Sequence, residues 1–147
     1  MEQNEEHHIT YLGLGANIGN RKEMLDTACQ KIEKLIGHLL RQSAYYETEP
    51  WGFDSDHLFI NAVVCVQTTL TPRQLLRTTQ RIERMLGRRQ KTKDGHYHDR
   101  PIDIDILLYD DLVVDEPDLK IPHPLMQQRP FVMEPLREVC PSILTSQ

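Results

Sequence analysis

The stretch Arg100-Pro101-Ile102-Asp103-Ile104-Asp105-Ile106-Leu107-Leu108 alternates apolar and charged residues with a period of two from Ile102 to Ile106. That period is the signature of a β-strand with one buried face. Side chains two apart on a strand share a face, so Asp103 and Asp105 project together, with Cα atoms about 7 Å apart, and the isoleucines project the other way. Adjacent carboxylates repel unless something positive lies between them. Two readings of the pair stand side by side. It is either a site for one or two hard cations such as Mg²⁺, which takes one or two carboxylates together with substrate phosphates, or the solvated face of an amphipathic edge strand.

A chain of 147 residues is one ordinary domain, large enough to bury a core without disulfides or a structural metal. Apolar residues at 39% and charged residues at 27% place it among globular proteins rather than disordered chains. A net charge of -5 argues against nucleic acid or anionic membrane as a partner. Cys29, Cys65 and Cys140 are odd in number and form no CxxC pair, which indicates neither a disulfide framework nor a zinc site and fits a reducing cytoplasm. Residues 1–8 are polar and acidic and read as a tail; no segment approaches a membrane span.

Outward from the aspartate strand, the remaining elements follow from periodicity and punctuation. Ile9 to Leu14 reads as a strand, and Asn20 with Glu23 has the spacing of a capping box that opens a helix with a Leu25, Ala28, Ile32, Leu35 stripe, stopped by Gly37 at C′. Leu39 to Thr48 is extended and leads into a Pro50-Trp51-Gly52 loop; Phe59 to Thr68 is again strand-like. Thr71-Pro72-Arg73-Gln74 combines an N-cap, proline at N1 and a capping-box glutamine, and Leu75, Thr79, Ile82 and Leu86 recur at helical spacing up to Gly87. Asp110-Asp111 reads as a turn into Leu112 to Val114, and a last helix starts at Pro130. The order strand, helix, strand, strand, helix, strand predicts an α+β, ferredoxin-like βαββαβ antiparallel sheet packed with helices, with a C-terminal extension.

Nine of the 17 lysines and arginines lie between Arg73 and Arg100. Arg73, Arg77, Arg81 and Arg84 follow helical steps and read as a solvated face. Arg88, Arg89, Lys91, Lys93 and Arg100 lie on a hydrophilic loop that opens into the aspartate strand, where guanidinium forks could converge on a metal-held polyphosphate. Gly13-Leu14-Gly15-Ala16-Asn17-Ile18-Gly19 has neither the dinucleotide spacing nor the Lys-Ser/Thr of a phosphate loop, and reads as a tight turn allowing close strand-to-helix packing.

Six segments in order, Leu12 to Asn17, Tyr46 to Gly52, Phe59 to Ala62, Gln80 to Glu83 with Gly87-Arg88, Arg100 to Asp105, and Ile121 to His123 with Arg129 to Phe131, resemble 6-hydroxymethyl-7,8-dihydropterin pyrophosphokinases of folate biosynthesis. The resemblance covers nearly the whole chain and implies transfer of the β,γ-pyrophosphoryl group of MgATP to the pterin hydroxymethyl oxygen, releasing AMP. It implies two Mg²⁺ ions on Asp103 and Asp105 and a catalytic phosphate clamp from Arg88 and Arg100. His123 and Arg129 would close on the triphosphate, and Gln80, Glu83, Lys91 and Ile106 would complete the ATP site. Without the resemblance, Gln80 and Glu83 read as exposed helix residues and His123 as a surface turn residue.

For the pterin, the resemblance implies stacking by Phe59 and Phe131, amide recognition by Asn61, and backbone contacts from Thr48, Trp51 and Gly52. A flat, amide-rich heterocycle needs such a sandwich and edge. The chain departs from the family pattern at Ala16, where serine is common, at Gln90, where a second arginine is common, and at Tyr97-His98-Asp99, in place of a tryptophan-containing segment. Two other functions compete with this one: a different metal-dependent phosphotransferase or nuclease, which would not call for Asn61 with the two phenylalanines, and an RNA-binding module, whose aromatic strand pattern is absent. Compact size favours a monomer over a homodimer.

Overall fold

The computed structural model describes residues 6–48, 58–87, 101–124 and 126–140. Strand β1 (His8–Ala16) leads through a turn at Gly19 into helix α1 (Arg21–Leu35), then come β2 (Gly37–Gln42), β3 (Tyr46–Thr48) and β4 (Phe59–Thr68). Helix α2 (Pro72–Met85) and β5 (Asp103–Tyr109) follow, then a small hairpin, β6 (Val114–Glu116) with β7 (Leu119–Ile121), a 3-10 turn at Met126–Gln128, and α3 (Pro130–Val139). The main sheet has the order β2-β4-β1-β5 with β3 paired to β4, and every pairing is antiparallel. This is the expected α+β, ferredoxin-like arrangement, extended at the C-terminus by the hairpin and α3.

Alternation sorts the side chains into two layers. Leu12, Leu14 and Ala16 of β1, Ile60, Val64 and Val66 of β4, and Ile104 and Ile106 of β5 pack on Leu25, Ala28 and Ile32 of α1 and Leu75 and Ile82 of α2. The opposite face carries Val63 and Leu107, covered by Met126, Val132, Met133, Leu136 and Val139. Helix α2 is firmly set: Thr71 Oγ1 accepts from the Gln74 amide at 3.2 Å while Gln74 Oε1 accepts from the Thr71 amide at 2.8 Å.

A β-bulge interrupts β5. Leu12 lies opposite Ile106 and Tyr11 opposite Leu108, so Leu107 is the extra residue. Beyond the bulge the phase inverts, which is why the odd-numbered Tyr109 joins the even-numbered isoleucines in the main core. The alternation that exposes both aspartates therefore ends at Leu107, and the strand itself starts at Asp103 rather than Arg100.

Several expectations are corrected. Gly37 does not cap α1 in a left-handed conformation; it opens β2, where an added Cβ would lie 2.0 Å from the Gln67 carbonyl oxygen, so glycine is required by close approach to β4. Gly13 and Gly15 are not turn residues but lie inside β1; of the three glycines in that motif only Gly19, at φ 69°, forms the turn. Arg73 lies on the exposed face as expected, but it is not isolated there: its guanidinium pairs with Glu116 and Asp118, linking the start of α2 to the hairpin. The polar tail ends before His8, which is already in β1 and has its Nδ1 2.6 Å from Asp110 Oδ2. Among the described residues no helix is long and apolar enough to cross a membrane.

Candidate active site

Asp103 and Asp105 stand half-buried on the face of β5 opposite Ile104 and Ile106. Register places two rows across that face: Asn61, Gly15 and Asp103 in one, Val63, Gly13 and Asp105 in the other. Two strand spacings, about 10 Å, separate the Asn61 and Asp103 backbones, and the strand between them carries no side chain in either row. The gap is close-fitting. A Cβ at Gly15 would lie 2.9 Å from Asn61 Oδ1 and 3.6 Å from the Phe59 ring.

On the far side of the glycine floor, Asn61 is 7% exposed, and its Nδ2 donates to Thr48 Oγ1 at 2.5 Å. Thr48 pairs with Phe59 and Tyr46 with Asn61, so short strand β3 sets both side chains. A buried amide is costly unless its polar atoms are satisfied; here Thr48 engages one end. Phe59 is half-buried on the same face, so its ring is not enclosed in the core as the apolar residues that follow it are.

Two contacts that sequence reasoning missed hold this half together. Arg21 Nη1 donates to the Leu58 carbonyl at 2.6 Å, and Nη2 lies 3.1 Å from Glu47 Oε2, joining the chain just before Phe59 to the residue just before Thr48. The available signal was a cation in the first turn of α1, the unfavourable end of the helix macrodipole. Glu138 of α3 accepts from the Tyr46 hydroxyl at 2.6 Å and from the Ala44 amide at 3.1 Å. No periodicity marks that pair, because its members are 92 residues apart.

The C-terminal segment delivers the remaining groups. The His123 amide donates to the Leu107 carbonyl at 3.0 Å, laying residues 121–124 along β5. The imidazole lies close enough to Arg129 and Asp103 to feel both: burial and the neighbouring guanidinium push its pKa down, and Asp103 opposes them. Arg129 precedes α3 and its Cζ sits 5.7 Å from the centre of the Phe131 ring, a cation-π distance. His123 is thus half-buried beside Asp103 and Arg129 rather than exposed on a surface turn.

Gln80 is exposed on α2 as expected, but Glu83 is buried at 8% exposure, and its Oε2 accepts from the Ile104 amide at 2.7 Å. Ile106 puts its side chain into the main core. Because the Ile104 amide points away from β1, the period-two ladder turns the Ile106 amide and carbonyl outward as well; only this backbone edge is available to a ligand. Trp51, Gly52, Arg88, Lys91 and Arg100 lie outside the described residues.

The donor set suits a hard cation. Among the described residues no group of three His, Cys, Asp or Glu side chains gathers in metal-binding geometry, but two carboxylate ligands leave room for the phosphate oxygens that normally complete a Mg²⁺ shell.

Fold and site together define a class: a ferredoxin-like α+β protein whose sheet face sets paired carboxylates across a glycine floor from Asn61 and Phe59. The family model for 7,8-dihydro-6-hydroxymethylpterin-pyrophosphokinase matches residues 11–141, and the chain belongs to that family. A 2-amino-4-hydroxy-6-hydroxymethyldihydropteridine pyrophosphokinase of Porphyromonas gingivalis is 52% identical over 134 residues, 90% of this chain and 91% of the relative. Its counterpart in Aquifex aeolicus is 39% identical, covering 91% of this chain and 81% of the relative. The wild-type HPPK-DHPS of Plasmodium falciparum is similar in structure, with a TM-score of 0.74 at 17% identity over 92% of this chain. This chain spans 41% of that solved chain, and the likeness concerns the fold.

In metal-free protein the His123 ring should titrate below its ordinary 6.5, followed by the NMR shift of its ring protons. A depressed histidine leaves the unfolded chain holding more protons, so this group's contribution to stability is full above 6.5 and is lost as pH falls through the folded pKa. Triphosphate added without metal should move the ring's titration upward; an unmoved ring would place His123 away from the anion.

Proposed function

We propose that this chain transfers the pyrophosphoryl group of ATP to the hydroxymethyl oxygen of 6-hydroxymethyl-7,8-dihydropterin, giving the pterin diphosphate and AMP in folate biosynthesis. One observation carries the reading beyond family membership. The Asp103-Asp105 pair and the Asn61-Phe59 pocket share one sheet face, separated by a strand that bears only glycine in those rows. Attack of an alcohol on a phosphorus needs the two reactants side by side, and catalysis of such a transfer is chiefly positioning and charge stabilisation.

Asp103 and Asp105 would hold two Mg²⁺ ions with phosphate oxygens, and the ions would supply charge neutralisation and fix the phosphate chain for in-line displacement at the β-phosphorus. His123 is held beside β5 by the Leu107 contact and lies near Arg129; in this reading both would face the polyphosphate from the C-terminal side. There the imidazole would offer hydrogen bonds from its ring nitrogens, while the guanidinium would add charge. Arg88, Arg100 and Lys91 complete the phosphate clamp in this reading, resting on their sequence positions. The outward backbone of Ile106 and the exposed Gln80 suit the nucleoside end.

The pterin ring would stack between Phe59 and Phe131, its amide edge read by Asn61, which offers donor and acceptor, and by Thr48, with Trp51 and Gly52 closing the pocket. The Thr48 bond holds the Asn61 side chain in place, leaving the other end of its amide to meet the edge of a heterocycle in this reading. The three cysteines form no disulfide with one another, which suits a reducing cytoplasm.

Asp103→Asn and Asp105→Asn should each lower kcat by about a hundredfold or more, the loss of several kcal/mol of metal-mediated stabilisation, with pterin binding retained; chromatography of the nucleotide product should find AMP from wild-type protein. ADP as the product, or full activity in both variants, would contradict the assignment. Gly15→Ala should leave the fold intact while weakening pterin binding about tenfold, since the added methyl displaces the Asn61 amide; unchanged pterin affinity by calorimetry would show that the glycine floor does not shape the pocket.

A further inference from the structure

We propose that Glu83 is a positioning residue for the aspartate pair, acting through the backbone of β5 rather than as a ligand to nucleotide or metal. The inference rests on the metal assignment above. Strand β5 is the edge of the main sheet and is laddered on one side only, to β1. Its outward amides need other partners. Glu83 supplies one from α2: its Oε2 accepts from the Ile104 amide at 2.7 Å. Ile104 is the residue between Asp103 and Asp105, so whatever fixes its peptide plane fixes the spacing and tilt of both carboxylates.

The supporting structure is rigid. Glu83 is 8% exposed, whereas charged side chains are almost never buried unless paired, and a bond from an ionised acceptor to a backbone amide is among the stronger hydrogen bonds in proteins. Neighbouring Ile82 and Thr79 are fully enclosed, at 0% and 1% exposure, so the helix cannot slide to relax the bond. On the other side of the peptide, the Ile104 side chain is itself set in the main core. Helix α2 packs on the sheet face opposite the aspartates, so the Glu83 carboxylate meets β5 at its edge and from behind. Ligation by such a group and support by it make different predictions, because glutamine keeps an oxygen that can accept from an amide but loses the charge a metal or ammonium would need.

The test uses Glu83→Gln, which keeps the acceptor, and Glu83→Met, which keeps the bulk without it, with folding checked by circular dichroism. Two readouts are taken: hydrogen exchange of the Ile104 amide in metal-free protein, and Mn²⁺ affinity in the presence of α,β-methylene-ATP. Glu83→Met should speed Ile104 exchange at least about tenfold and weaken Mn²⁺ binding about 10 to 100-fold, the usual effect of losing a group that orients metal ligands; Glu83→Gln should recover both. In turnover, Glu83→Met should lower kcat with the KM for pterin unchanged. Wild-type exchange in Glu83→Met would overturn the proposal, as would weakened Mn²⁺ binding in Glu83→Gln with Ile104 exchange unaltered. Should Glu83→Met fail to fold, Glu83→Gln decides alone: wild-type Mn²⁺ affinity with a protected Ile104 amide supports positioning. The exchange readout needs neither metal nor substrate, whereas failure of the reaction itself would show as wild-type protein that makes no pterin diphosphate.

Discussion

Strand β1 is hydrogen-bonded on both sides, and its register with β4 and β5 decides which side chains meet. Gly15 faces Asn61 on one neighbour and Asp103 on the other; Gly13 faces Val63 and Asp105. A one-residue slip on either ladder would turn every side chain of that strand to the opposite face. The core enforces the register, because Leu12, Leu14 and Ala16 can be buried against α1 and α2 only in this alignment. Burial on one face thus fixes chemistry on the other.

The same coupling explains the polar contacts at the rim. Residues that recognise a ring or hold a metal must keep their geometry without the help of a dry core around them. Here the geometry comes from bonds to backbone. Glu83 reaches Ile104, Arg21 reaches Leu58, Glu138 reaches Ala44, and the His123 amide reaches Leu107. Each anchors a residue adjacent to, or two or three positions from, a side chain of the site or its supporting strand. Replacing such a group disturbs position rather than composition, which is why loss of a supporting contact is often felt as loss of function.

Much of this was legible before any coordinates. The Ile-Asp alternation placed both carboxylates on one strand face, and Thr71 with Gln74 marked the start of α2, because period and capping are local properties. Asn61, two residues after Phe59, stood out as a polar side chain in the apolar run up to Val66. What sequence reading missed is non-local or depends on packing. The bulge at Leu107 follows from how Tyr109 fits under the sheet, and nothing in the pattern Ile-Leu-Leu reveals which residue is extra. Gly13 and Gly15 resembled a turn because glycine's absence of a side chain looks the same in a turn as inside a strand. Glu83 looked exposed because helical periodicity cannot see the strand edge that covers it, and the surface pairing of Arg73 was invisible because its carboxylate partners lie on a hairpin more than forty positions away.

The central claim is that one face of the sheet gathers both reactants, with the metal on the aspartates and the ring beyond the glycines. It is tested most directly by a crystal structure of the protein with Mg²⁺, α,β-methylene-ATP, whose α-β bridge cannot be cleaved, and 6-hydroxymethylpterin. The account predicts metal density in contact with both Asp103 and Asp105 and a pterin ring between Phe59 and Phe131 with its edge on Asn61. Metal held by other side chains, or a ring bound on another face of the sheet, would contradict it.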